Sequence, residues 1–89
     1  MELYDQLNKL IDLAESLGML IRRAPSAGEN PEHPGGAYVR LKGKEIIFLD
    51  PTATLIDQIA VAAGALRGRQ ELENVFLPPE VRELIEKSR

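Results

Sequence analysis

Acid–base, nucleophilic and metal chemistry each need particular side chains held close together, and this chain has few of them. Its single histidine, His33, lies in Pro31-Glu32-His33-Pro34. Imidazole titrates near neutral pH, which suits a general base, and Glu29 and Glu32 are near enough in sequence to join it around a metal. The surrounding composition argues against both roles. Residues 24–36 hold three prolines and three glycines and lack any large apolar side chain. Such a stretch reads as a loop, and a loop holds a catalytic base poorly in fixed geometry. His33 is therefore read as exposed and inert.

The other candidates are weaker. Ser16, Ser26 and Ser88 lie outside any G-x-S-x-G elbow. The absence of cysteine removes disulfides, thiolate metal sites and cysteine nucleophiles. Carboxylates three apart, such as Asp12 with Glu15 or Glu80 with Glu83, occur on almost every solvated helix. Gly35-Gly36 has neither the G-x-G-x-x-G nor the G-x-x-x-x-G-K spacing of a phosphate loop. The expectation is a chain with no catalytic set, no metal and no cofactor.

Five basic residues, Arg22, Arg23, Arg40, Lys42 and Lys44, fall within residues 22–44. If the first two strands pair, some of them share an outer sheet face with Tyr38, which offers phosphate contacts and a stacking ring. With 11 basic and 14 acidic side chains, the net charge of -3 makes this the lesser reading. A small-ligand site around His33, Tyr38, Arg40 and Lys42, beside the Gly35-Gly36 loop, is the other alternative.

The elements that would position these residues follow from hydropathy. Leu3, Leu7, Leu10, Ile11, Ala14 and Leu17 recur at helical spacing, predicting a helix over Glu2 to Leu17 ended by Gly18. Met19 to Arg23 is a short strand. Ala37, Val39 and Leu41 alternate with Tyr38, Arg40 and Lys42, as in a half-buried strand. Lys42-Gly43-Lys44 reads as a tight hairpin turn. Glu45-Ile46-Ile47-Phe48-Leu49 is read as the central strand, apolar enough to be covered on both faces. Thr54 with Asp57, or Asp50 with Pro51, caps a helix start, and Leu55, Ile56, Ile59, Ala60, Ala63 and Leu66 carry the helix to Gly68. Residues Arg69 to Leu77 show no clear period. Pro78-Pro79 opens a last helix.

These elements make one α+β domain over residues 1–89, in the order α-β-β-β-α-α, with a mostly antiparallel three-stranded sheet packed by helices. Lacking a signal peptide or an apolar span, the chain is expected in the cytoplasm.

From Leu17 to Gly68 the layout resembles the core of the ImmA/IrrE family of small zinc metallopeptidases. The matching pieces are Leu17-Gly18, Gly36, Ile46-Ile47-Phe48-Leu49-Asp50 and the helix through Ile59 to Leu66. That family carries H-E-x-x-H on this helix, and here Ala63-Gly64-Ala65-Leu66-Arg67 stands in its place. The resemblance thus implies a scaffold without its metal. Residues 35 to 86 also resemble a group of small uncharacterised bacterial proteins, through Gly35-Gly36-Ala37-Tyr38-Val39-Arg40-Leu41-Lys42-Gly43-Lys44 and Leu77-Pro78-Pro79-Glu80-Val81-Arg82-Glu83-Leu84-Ile85.

The function expected is a non-catalytic interaction or regulatory module that self-associates, its partner a second copy or another protein. Val75, Phe76 and Leu77 are the candidate interface.

Overall fold

Apolar residues at three- and four-residue intervals build the first helix, α1 (Leu3–Ser16), which buries Leu7, Leu10, Ile11 and Ala14. After it come three strands, β1 (Leu20–Arg23), β2 (Gly36–Leu41) and β3 (Lys44–Leu49), then the helix α2 (Leu55–Leu66). A short 3-10 helix (Gln70–Asn74) and α3 (Pro79–Lys87) complete the order. The computed structural model describes residues 2–24 and 35–87. The 3-10 helix occupies the segment without a clear sequence period; its tight turn buries only Leu72.

Thr54 caps α2 as its sequence predicts, the Asp57 N–H donating to Thr54 Oγ1 at 3.1 Å. Just before it, Asp50 Oδ1 accepts from the Thr52 N–H at 2.9 Å and from the Thr52 hydroxyl at 2.7 Å. These contacts turn the chain from β3 into the helix. Between β2 and β3, Lys42 and Gly43 have φ of 52° and 80°. Positive φ at both central residues is the two-residue turn whose twist matches a hairpin.

The sheet is mixed, with strand order β1-β3-β2. This corrects the mostly antiparallel expectation. β2 and β3 form the antiparallel hairpin, but β1 runs parallel to β3 and does not pair with β2. The physical reason is visible in one row of the register, where Arg23, Leu49 and Gly36 lie side by side. β1 ends and β2 begins in that row, one on each side of β3, which holds the middle position. β3 takes it because Ile46, Ile47, Phe48 and Leu49 gain most from neighbours on both edges.

Residues paired across a sheet share a face. One face therefore carries Ile21, Ile47, Leu49, Gly36, Tyr38, Arg40 and Glu45. Here α1 and α2 pack on the sheet, and α3 packs on both helices. Leu10, Ile47, Leu49 and Leu66 are fully buried at this junction. Burying each such side chain contributes about 2 kcal/mol. Leu72, Leu77, Val81 and Ile85 extend the same core under α3.

Two glycines allow close backbone approach, Gly35 toward α2 and Gly36 toward β3. A Cβ on Gly35 would overlap the Asp57 carbonyl and stand 2.8 Å from the Gln58 nitrogen. A Cβ on Gly36, at φ 135°, would strike the Phe48 carbonyl. Gly35 thus lets the first turn of α2 press on the chain just before β2, and Gly36 lets β2 start close against β3.

Candidate interaction face

The second face of the sheet carries Leu20 and Arg22 from β1, Ala37, Val39 and Leu41 from β2, and Lys44, Ile46 and Phe48 from β3. Among the described residues no helix packs on it. Leu20 is 41% exposed, Val39 37% and Leu41 61%, while Ala37, Ile46 and Phe48 are half-buried by their neighbours. Among the described residues the central strand is thus covered by helices on one face and uncovered on the other, whereas its sequence predicts cover on both. Six apolar side chains form a contiguous patch across three strands. Arg22 and Lys44 stand at its two ends, and among the described residues no carboxylate shares the face.

The alternation in β2 is real but points the other way from expectation. Ala37, Val39 and Leu41 face away from the helices, while Gly36, Tyr38 and Arg40 face toward them. The helix side of β2 begins with Gly36, which has no side chain, and further along it carries Tyr38 and Arg40 beside polar groups beyond the helix end. A period of two fixes which residues share a face, not which face meets the helices.

Those polar groups form a cluster that sequence reasoning missed. Arg69, just past α2, grips Glu45 with both terminal nitrogens, Nη1 on Oε2 and Nη2 on Oε1 at 2.8 Å. Nη2 also donates to Glu71 at 2.9 Å, and Arg69 Nε is buried without a hydrogen-bond partner in the protein. The Tyr38 hydroxyl donates to Glu45 at 2.5 Å. Hydrogen bonds from Arg69, then from Tyr38, hold the Glu45 carboxyl at about 2, well below its ordinary 4.5. The same carboxylate pushes the Tyr38 hydroxyl up, mainly through that hydrogen bond and then through desolvation. Glu71 lies below the ordinary carboxylate value, through its own backbone first and Arg69 second. The cluster fastens the β2–β3 hairpin to the segment after α2. All its acceptors are satisfied within the protein, so it reads as a clamp rather than a reaction centre.

The other expected site residues disperse. His33 lies outside the described residues. Tyr38 and Arg40 sit on the helix side of the sheet, and Lys42 occupies the hairpin turn, so the three do not line one pocket. The basic residues do not share a face either: Arg22 and Lys44 lie on the open side, Arg23 and Arg40 on the other. β3 stands between the two strands whose pairing would have united them. Of the interface candidates, Leu77 is buried in the core, while Val75 is 38% and Phe76 84% exposed.

A cleft of about 170 Å³ between the 3-10 helix and α3, lined by Arg69, Leu72, Glu73, Leu77, Arg82 and Glu86 among others, is small for an organic ligand. Among the described residues, no group of three or more His, Cys, Asp or Glu side chains is placed to hold a metal. No helix among them is long and apolar enough to cross a membrane. The chain matches no protein family, no curated protein and no solved structure.

Proposed function

We propose that the chain is a non-catalytic interaction module that works through the open face of its sheet. The observation that carries this reading is the patch formed by Leu20, Ala37, Val39, Leu41, Ile46 and Phe48, uncovered among the described residues. Single exposed apolar residues are ordinary, but a contiguous patch across three strands marks a contact surface. Its composition supports the same reading, since β2 places its apolar set on this side and its polar set on the helix side.

A photo-crosslinking residue at Leu41, tested in the cells that make the protein, is expected to give adducts of defined mass. The same group at Asp12, exposed on α1, is expected to give none, and Val39→Glu should abolish those from Leu41. Indistinguishable adduct patterns from the two positions would refute the reading.

Self-association through Val75 and Phe76 is a second reading, favoured by the 84% exposure of Phe76. It requires a solution mass above that of one chain by light scattering, returning to one chain on Phe76→Asp. A single-chain mass for the unaltered protein across a hundredfold concentration range excludes it.

A further inference from the structure

We infer that the open sheet face takes an amphipathic helix with acidic flanks from a partner, rather than a second copy of this chain. The inference rests on the interaction reading above and names the partner's chemistry. Three observations lead to it.

The first is charge. The face ends in Arg22 and Lys44 and holds no carboxylate among the described residues. A second copy laid on this face would bring two more cations and no anion, whereas a partner with Glu or Asp beside an apolar stripe pairs with both ends. The second is area. With Leu20, Val39 and Leu41 exposed and Ala37, Ile46 and Phe48 half-buried, the uncovered patch is on the order of a few hundred Å². A stable dimer buries about 800 Å² on each side. Three strands spaced about 4.8 Å apart set their outer axes about 10 Å apart, the width of one helix with its side chains, about 10–12 Å. The third is topology. β1 and β3 pair in parallel within a mixed sheet, the pairing that in all-parallel sheets goes with cover on both faces. Helices cover one face here, and a helix on the second completes that arrangement. Residues 25–34 bring no large apolar side chain to the task.

Two synthetic helical peptides of about 18 residues test this, long enough to hold a helix when bound. Both carry the same leucine stripe at i, i+3, i+4 and i+7, one flanked by Glu and the other by Lys. Each is titrated into the isotope-labelled full chain, following backbone amide shifts. The Glu-flanked peptide is expected to shift the amides of β1, β2 and β3 and to bind at least about tenfold more tightly than the Lys-flanked one. Arg22→Glu with Lys44→Glu should reverse that preference, and Val39→Thr with Leu41→Thr should remove binding at an unchanged melting temperature.

Equal affinity for the two peptides would overturn the acidic-helix inference and leave the interaction reading standing. So would a chain whose sheet amides shift on dilution as a dimer dissociates, because a second copy would then be the occupant. A monomer whose sheet amides respond to neither peptide would overturn both.

Discussion

Replacing Arg69 with methionine keeps most of its aliphatic bulk while removing the grip on Glu45. The structure sets the size of the effect. Glu45 sits at about 2 in the folded protein against an ordinary 4.5, which corresponds to at most about 3 kcal/mol of stability at neutral pH. The two side chains are 16% and 14% exposed, and water at their edges reduces the working figure to about 1–2 kcal/mol. Because the folded value is depressed, this contribution is complete above the ordinary carboxylate value. It drains away as the pH falls from about 4.5 toward about 2 and Glu45 takes up a proton.

Urea unfolding followed by circular dichroism, run from pH 7 to pH 3, reads this directly. Arg69→Met is expected to lie about 1–2 kcal/mol below the unaltered chain at pH 7, with the gap closing toward pH 3. Glu45→Gln should cost a similar amount at pH 7, and the double variant should cost less than the two single costs together. A gap that stays constant across the whole range would refute the argument, since the loss would then come from packing and not from the ion pair.

Three further outcomes follow from packing. Gly35→Ala forces a Cβ into the Asp57 carbonyl and should cost about 2 kcal/mol or more; an unchanged urea midpoint would mean α2 slides to accommodate it. Leu10→Ala, at a position with no exposure, should cost about 3 kcal/mol by the same measurement. Leu41→Thr, on the open face at 61% exposure, should stay within about 0.5 kcal/mol of the parent. A large loss there would place Leu41 inside a covered core of the monomer.

What could be read from sequence was local. The stripe through Leu7, Leu10 and Ala14, the Thr54 cap and the turn at Lys42-Gly43 each depend on residues a few positions apart, and each is where expected. The central place of β3 was legible in its apolar run, but the direction of β1 was harder, because nothing in β1 states that it will run parallel to β3. The orientation of β2 misled for a related reason: Val39 and Leu41 look like core residues whichever face they share. Arg69 stood in a segment without period, and its partner Glu45 is 24 positions away, so spacing carried no sign of the clamp. Leu77 shows the reverse error, an apolar residue in an irregular stretch read as surface that in fact completes the core under α3.

The central place of β3 also governs how the chain comes together as it is made. The hairpin joins near neighbours, from Leu41 with Lys44 outward to Gly36 with Leu49, whereas β1 pairs Leu20 with Ile46. Close pairings cost less entropy to form, so β2, β3 and α2 can assemble as one local unit. α1 and β1 are synthesised earlier but have no strand to join until β3 has emerged. During that interval the stripe of Leu7, Leu10 and Ile11 has neither α2 nor α3 to pack on, so α1 completes its packing after the segments that follow it.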